Sequence, residues 1–507
     1  MSAIEADILV LGAGTAALVT ALSVRNRHVT ILTPELDDQS QAASDLAQGG
    51  MAAAVAPDDS PALHLADTLE AGGDSVERDV ARYLCEHAPA AVDYLRELGV
   101  PFDRMDGAWS LHTEAAHSRA RVLHVGDATG AAIMRTLRQA AKRAPHIRMR
   151  TGMRAVQLLT SSEGVHGVVA AQEDGRNVLV HAREVIIATG GVGGLYSRTT
   201  NPLTACGDGL AIALAAGARC AGLEFVQFHP TALDKSAPRL PLITEALRGA
   251  GAKLVDECGE RILQGIHPLA ELAPRDVVAR AVYLAQQRGA RVNLDATHLD
   301  LNLASTFPSV YAMCMEQGFD LHREPIPITP AAHYYMGGIE VDPDGRSTLP
   351  GLWAVGEAAC TGVHGSNRLA SNSLLEAVVF GRRCGRALSN SLLRGAAPYK
   401  LACAHTPIAS GSVASREVRE MMWRCMGVVR SAATISEGLS YVARLRERTS
   451  PSLVFDHSRL VLIERMLMAA ARHTTNCGAH YRSDARGTRT ERRAAGVRKE
   501  GADAALA

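Results

Sequence analysis

One feature limits the fold of this chain more than any other: the apolar segment Ile8-Leu9-Val10-Leu11 runs directly into Gly12-Ala13-Gly14-Thr15-Ala16-Ala17. A fully apolar run of this length is typical of a parallel strand buried on both faces. The next residues predict a helix to about Val24 and a second strand over Val29–Leu32. In such a unit the first glycine permits the tight turn, the second lets the backbone approach a pyrophosphate, and a small third residue allows close helix packing. The sequence therefore predicts a dinucleotide site at a helix N-terminus, formed by Gly12, Gly14, Thr15, Ala16 and Ala17.

Two later apolar segments, 185–191 and 351–357, also lead into glycine-containing turns. Open α/β sheets bind ligands at the carboxyl ends of their strands, so three such ends predict one long cofactor that crosses the sheet. FAD is long enough to need all three, and Thr189, Gly190 and Glu357 then become candidate contacts. One alternative is that the three strands are unrelated. A dinucleotide site also predicts an acidic residue after the second strand that contacts a ribose; Glu35 is the candidate, and the alternative is that it is a surface residue.

Composition, apolar runs and cysteine spacing argue against several other classes of protein. Lys plus Arg and Asp plus Glu both number 53, which argues against a dedicated nucleic-acid binder. No run of 18 apolar residues lacks a polar break and no signal peptide is evident, so we expect no membrane span and a cytoplasmic location. None of the 10 cysteines forms a C-x-x-C pair, so we expect reduced thiols and no metal site.

The pattern of buried strands stops after about Glu224 and resumes near Gly337, with a helical pattern over residues 276–287 between them. An insertion of this kind is a natural lid over a cofactor. Residues 416–430, 435–448 and 453–472 have helical apolar spacing and predict a small bundle. We therefore predict an FAD-binding domain (1–226 and 334–396), a capping domain (227–333), a helical domain (397–484) and a flexible tail (485–507).

Four segments place polar side chains in apolar, glycine-rich surroundings: 227–231, 271–276, 330–338 and 364–376. Singly, each histidine here is more often structural than catalytic. Together, His229, Arg275, His333 and Arg368 predict an anion site, because buried charges must be matched and guanidinium forks suit carboxylates. Residues 371–373 predict a helix start whose positive end could stabilise charge on a flavin.

The order of several motifs resembles the flavoprotein superfamily of succinate dehydrogenase, fumarate reductase and L-aspartate oxidase. These motifs are Gly-Ala-Gly-Thr-Ala-Ala, Ala-Gln-Gly-Gly at 47–50, His-Pro-Thr at 229–231, Ala-Pro-Arg-Asp at 273–276, Pro-Ala-Ala-His-Tyr at 330–334 and Asn-Arg-Leu-Ala-Ser-Asn-Ser-Leu-Leu-Glu at 367–376. The resemblance covers the chain to about residue 484. It implies an α/β fold in which a Rossmann-like FAD-binding domain carries an inserted α+β capping domain and a C-terminal helical bundle. It adds further FAD contacts: Ser44, Ala47, Gln48, Gly49, Gly50, Asp208, Ser373 and Leu374.

Two positions distinguish members of this superfamily. Ala43 stands where the respiratory members carry the histidine that binds FAD covalently, which implies noncovalent FAD. Glu114 lies in a segment similar to the one in aspartate oxidases where a glutamate sits near the substrate's α-amino group.

The resemblance then implies that L-aspartate is oxidised to iminoaspartate with O2 or fumarate as acceptor, the first step of NAD biosynthesis, ahead of quinolinate synthase. Its carboxylates would be held by His229, Thr244, His333 and Arg368, while Arg275 exchanges a proton. A soluble fumarate reductase and a non-catalytic flavin-binding scaffold remain alternatives. Two departures stand out: Thr475-Asn476-Cys477-Gly478 replaces Glu-Ser-Arg-Gly, and Tyr335-Met336 follows Tyr334.

Overall fold

The structure is a computed structural model that describes residues 3–34, 42–391, 413–450 and 452–485. Glu35 and nearly all of the predicted tail, from residue 486 onward, lie outside the described residues. The described α-helices span Thr15–Ser23, Pro61–Gly72, Arg78–Leu98, Thr129–Arg143, Asp208–Ala215, Glu245–Gly249, Arg275–Gln287, Leu303–Thr306, Pro308–Glu316, Asn372–Asn390, Arg416–Met426, Ala432–Arg448 and Val454–Arg472.

A seven-stranded sheet forms the centre of the fold. Its parallel part contains Ile147–Arg150, Val29–Leu32, Ala3–Leu11, Asn177–Ile187 and Leu352–Ala354, in that spatial order. Gly164–Gln172 and Met153–Ser161 extend it in antiparallel fashion. The three predicted strands are therefore confirmed, and their carboxyl ends lie side by side at one edge.

The two faces of this sheet belong to different hydrophobic cores. Ile8 and Val10 pack with the helices Thr15–Ser23, Arg78–Leu98 and Asn372–Asn390. Leu9 and Leu11 pack instead with the antiparallel strands and the C-terminal helices. Alternate residues of one strand thus enter opposite cores, as the period of two requires.

The segment between Glu224 and Gly337 contains strands, so the expectation that strands stop there is wrong. Val226–Leu233 and Ile326–Tyr335 pair antiparallel and form a four-stranded sheet with Lys253–Val255 and Asn293–Asp295. Two features of the long strands prevented their prediction from the sequence. Each is buried nearly throughout, which removes alternation, and each contains proline, which normally argues against a strand. Pro230 is tolerated because the register shifts between His229 and Ala232, so it lies at a bulge.

The remaining short strands are Met51–Ala52, Arg104–Met105, Ala108–Trp109, Leu111–His112, Val122–Leu123, Cys220–Ala221, Gly338–Glu340 and Ala359–Cys360. The three predicted C-terminal helices are confirmed, and the side chains of Ser415 and Ser431 accept hydrogen bonds from the first turns of two of them. The predicted domain boundaries stay a prediction; the strands Val226–Leu233 and Ile326–Tyr335 extend across two of them. Among the described helices none is long and apolar enough to cross a membrane.

Candidate functional site

A cleft of about 430 Å³ opens where the parallel strands end, and we call it the strand-end cleft. Thirteen of the sixteen predicted cofactor residues line it: Gly12, Gly14, Thr15, Ala16, Ser44, Ala47, Gln48, Thr189, Gly190, Asp208, Glu357, Ser373 and Leu374. The other three do not. Ala17 is fully buried in the core, a Cβ on Gly50 would lie 2.1 Å from the carbonyl oxygen of Leu123, and a Cβ on Gly49 would lie 2.7 Å from Glu114 Oε1.

The first turn of the cleft depends on close backbone approach. Gly12 has φ of +105°, and a Cβ there would lie 2.4 Å from the carbonyl oxygen of Ala188. Its neighbour across the turn, Thr15, donates its backbone N–H to Ser44 Oγ over 3.3 Å. The helix Thr15–Ser23 begins at this point, so its N-terminal N–H groups face the cleft and offer a site for phosphate.

Two buried polar atoms of the cleft have no hydrogen-bond partner within the described residues. Within the described part of the chain, Gln48 Oε1 and Thr189 Oγ1 are buried and accept no hydrogen bond. Burial also raises the pKa of the Glu357 carboxyl to about 7, although that carboxyl accepts the backbone N–H of Tyr335. Asp208 differs from these, because its carboxylate pairs with Arg154 and Arg459 at 2.7 and 2.8 Å.

Beside the cleft lies a group of buried charges that we call the charged cluster: Glu114, Glu245, Arg248, Arg275 and Arg368. Arg275 is the first residue of the helix Arg275–Gln287, and Pro274 is its N-cap. Its guanidinium lies 2.5 Å from Glu245 Oε2, and Glu245 Oε1 lies 2.8 Å from Arg248. Burial alone would raise the pKa of Glu245, but the two guanidiniums lower it overall. Glu245 is therefore ionised and holds both arginines.

Glu114 belongs to the same cluster and is not a surface residue. Its side chain is 3% exposed and accepts a hydrogen bond from Ser371 Oγ over 2.6 Å. Burial and the neighbouring Glu245 raise its pKa. Ser371 has φ of +60° and also accepts the backbone N–H of Gly50, so its hydroxyl links Gly50 to the Glu114 carboxylate.

The two predicted histidines lie together with their ring centroids 4.9 Å apart. Burial and the positive charge of Arg275 push both pKa values well below the ordinary range, so both rings are neutral. The backbone N–H of Thr231 donates to His229 Nδ1, which fixes the proton on Nε2 as a donor. His333 is held by Thr200 Oγ1, 2.9 Å from its Nδ1.

Arg368 and Thr244 complete the predicted set. The Arg368 guanidinium lies 4.6 Å above the Tyr334 ring and 3.0 Å from Ser373 Oγ. Burial and Arg275 lower the pKa of Arg368 to about 10. Thr244 is buried and accepts the backbone N–H of Ala246 as the cap of a short helix. Tyr335 turns away from this site, because its hydroxyl donates to the carbonyl of Leu223.

Sequence reasoning missed the residues that hold the site together. Gln227 accepts from Arg275 over 3.2 Å and donates to Asn367 and to the Arg368 carbonyl, both over 2.8 Å. It precedes His229 by two residues on one strand, so the period of two could have placed it on the same face. Glu245 and Arg248 are three apart on a helix, a spacing that brings side chains together.

The comparisons with known proteins agree on one family. The pattern of an FAD binding domain matches residues 7–374. L-aspartate oxidases from Mesorhizobium japonicum and Caulobacter vibrioides are 43% and 44% identical to this chain. The alignments cover 94% of this chain in both cases, and 91% and 93% of those proteins. The chain belongs to the L-aspartate oxidase family.

Solved structures of other flavoproteins have a similar fold. The E. coli quinol fumarate reductase chain FrdA is 30% identical, with a TM-score of 0.85 over 96% of this chain and 92% of that one. Mycobacterium smegmatis Sdh1 is also 30% identical, with a TM-score of 0.80 over 96% and 90%. The predicted fold class is thus confirmed, and FAD is the cofactor, as the domain match and the family members indicate.

Proposed function

We propose that this protein oxidises L-aspartate to iminoaspartate with bound FAD and passes the electrons to O2 or fumarate. The observation that carries the proposal is a buried carboxylate, Glu114, inside a cluster of three buried guanidiniums. That arrangement suits a substrate bearing two carboxylates and one ammonium. FAD accepts a hydride equivalent from the substrate when bound; the protein's own residues bind, orient and exchange protons.

The strand-end cleft fits FAD on three grounds. Gly12 lets the backbone approach a diphosphate, the helix after it offers N–H groups, and Gln48 and Thr189 present unpartnered oxygens. At the other end, Ser373 and Leu374 lie in the first turn of Asn372–Asn390, whose positive end stabilises negative charge. Ala43 lines the cleft and offers no nucleophile for a covalent bond, which supports noncovalent binding.

Charge matching supports aspartate as the substrate. Two carboxylates and three guanidiniums leave the charged cluster with one net positive charge when all are ionised. L-aspartate carries one net negative charge, so the complex would be neutral, as burial requires. The substrate ammonium would also keep Glu114 ionised, whereas burial alone favours its protonated form.

The remaining residues have separable roles. Arg368 and neutral His229, His333 and Thr244 would hold the two carboxylates through guanidinium, ring and hydroxyl donors. Arg275 would exchange the proton, because Glu245 lies 2.5 Å from it and links it to Arg248. Gln227 would orient Arg275 and Arg368 together.

Two competing functions differ at defined points. A soluble fumarate reductase needs no counter-charge for an ammonium, so Glu114 argues against it. A scaffold without turnover would tolerate loss of the charged residues, yet all five of the cluster are in place. We also propose a cytoplasmic location, where the nine described free cysteines would stay reduced, and delivery of the imine to quinolinate synthase for NAD biosynthesis.

The test is anaerobic bleaching of the flavin's visible absorption by L-aspartate, with D-aspartate and succinate as controls. We expect L-aspartate to bleach rapidly. Glu114→Gln should lower kcat/KM for L-aspartate by about 30-fold or more, because a buried ammonium loses its partner, at a cost of at least ~2 kcal/mol. Fumarate reduction by the same variant should change only a few-fold.

An equal loss with both substrates would show that Glu114 serves the fold and not the ammonium. Bleaching by succinate alone would favour a dicarboxylate dehydrogenase, and no bleaching with FAD bound would favour the scaffold.

A further inference from the structure

A second constellation lies outside the charged cluster, where the chain departs from the family pattern. Cys477 Sγ lies 3.4 Å from His473 Nε2, and His473 Nδ1 lies 2.8 Å from Glu224 Oε1. We call these three residues the thiol triad. A thiol, an imidazole and a carboxylate in hydrogen-bonded series form a nucleophile, its base and the group that orients the base.

Both the ring and the backbone of His473 are hydrogen-bonded. Its Nδ1–H donates to the Glu224 carboxylate, which leaves Nε2 to take the thiol proton. Its backbone carbonyl accepts from His480 Nε2 over 2.8 Å, and His480 Nδ1 accepts from Arg430 over 2.8 Å. The hydrogen bonds to Cys477 and Glu224 raise the pKa of His473 to about 9, which favours the imidazolium.

The triad is reachable from solvent. Cys477 is partly exposed, and the side chains of His473 and Glu224 are 26% and 14% exposed. Burial raises the pKa of the thiols of Cys85, Cys314, Cys384, Cys220 and Cys360, which makes these five poor candidates for a reactive thiolate.

The residues that follow Cys477 contact the segment that carries Arg368 of the charged cluster. Gly478 adopts φ of +49°, and a Cβ there would lie 2.5 Å from the carbonyl oxygen of Ser366, two residues before Arg368. Ala479 donates its backbone N–H to the same carbonyl over 2.9 Å. Cys477 also packs against a small hydrophobic cluster that includes Tyr334, and Tyr334 lines the strand-end cleft.

We propose that Cys477 is a peroxide-reactive cysteine, activated by His473 and Glu224. The thiolate sulfur attacks one oxygen of H2O2, so an S–O bond forms and the O–O bond breaks. Sulfur is oxidised by two electrons to a sulfenic acid, and the departing hydroxide takes the proton of the His473 imidazolium to give water. The oxidant is the H2O2 that O2 reduction would release, so its supply in turnover rests on the proposed function.

The first test compares two thiols of one molecule. The FAD-loaded full chain is treated with limiting iodoacetamide at pH 7, and alkylation is followed by peptide mass spectrometry. Cys477 should react about tenfold faster than the exposed Cys258, because His473 would take the proton of Cys477 and the thiolate is the nucleophile. His473→Gln should remove the difference in alkylation rate between Cys477 and Cys258, and Glu224→Gln should reduce it. The alkylation rate of Cys258 should stay constant in both variants.

The second test uses added H2O2 with a 1,3-dione that labels sulfenic acids, and Cys477→Ser as the control. Label on Cys477, absent in His473→Gln, supports the proposal. Equal alkylation of Cys477 and Cys258, or labelling that His473→Gln leaves unchanged, would overturn it. Because this arm contains no L-aspartate, its result is independent of the proposed function; a further arm with L-aspartate, O2 and no peroxide, with and without catalase, tests the supply.

Discussion

The strand-end cleft and the charged cluster lie side by side, yet they are built in opposite ways. The cleft is lined mainly by small residues and backbone where parallel strands end, and its first turn depends on the absence of a side chain at Gly12. The charged cluster depends on long side chains that reach together from distant parts of the chain. In the proposed function, backbone geometry therefore selects the cofactor, and paired buried charges select the substrate.

The largest expected effect removes a charge from the cluster. Arg275→Gln should lower kcat for L-aspartate by about 10²- to 10⁴-fold, because the variant lacks the group that we propose exchanges the proton. Flavin content should not change, since Arg275 does not line the cleft.

The matched control is Arg280→Gln on the same helix, where the side chain pairs with Asp276 at 3.6 Å. Steady-state kinetics and flavin absorbance measure both variants. A loss of flavin in Arg275→Gln alone would mean that the two sites are not separable.

The next effect adds a single carbon to the cleft. Gly12→Ala should raise the FAD Kd at least about tenfold, because a Cβ at φ of +105° costs roughly 1–2 kcal/mol and also meets the Ala188 oxygen at 2.4 Å. Gly175→Ala is the control, because Gly175 has φ of +79° with nothing within 4 Å of its Cβ. Flavin fluorescence titration compares the two. Equal weakening in both variants would assign the effect to backbone strain and not to the close approach.

The same contrast explains what could be predicted from the sequence. The strand ends and their glycines are local patterns, and seven of the eight FAD contacts predicted from them line the cleft. The other eight predicted contacts came from the family resemblance, and six of those line it. Local spacing relates Gln227 to His229 and Glu245 to Arg248, but it does not reveal that both residues meet Arg275, which is 48 residues from Gln227 and 30 from Glu245. A single sequence does not indicate which buried carboxylate will meet which guanidinium.

The strand Val226–Leu233 was missed for a related reason. It is buried along its whole length and carries a proline at a bulge, so neither alternation nor composition marks it as a strand. Both its burial and its bulge depend on the partner strand Ile326–Tyr335, more than 90 residues later. The motif His-Pro-Thr was visible in the sequence; the strand pairing that brings His229 beside His333 was not.

The smallest predicted effect tests whether the more charged region is also the more pH-sensitive one. Between pH 6 and 8 we expect the strand-end cleft to be more pH-sensitive than the charged cluster. His229 and His333, which lie beside the charged cluster, stay neutral because their pKa values lie well below the ordinary range, and the pKa of Arg368 stays near 10. Burial raises the pKa of Glu114, but in our proposal the substrate ammonium keeps this carboxylate ionised. In the cleft, burial raises the pKa of Glu357 to about 7, so its carboxyl is neutral at pH 6 and ionised at pH 8.

Because FAD is itself anionic, ionisation of Glu357 should weaken its binding, and the FAD Kd should rise on the order of threefold from pH 6 to pH 8, corresponding to less than ~1 kcal/mol. Glu357→Gln should remove this dependence, since an amide does not ionise in this range. Fluorescence titrations at both pH values measure it. If the Kd of the wild-type chain is constant while the KM for L-aspartate changes, the titrating group belongs to the charged cluster, and the division between a backbone-built cleft and a charge-built substrate site would have to be redrawn.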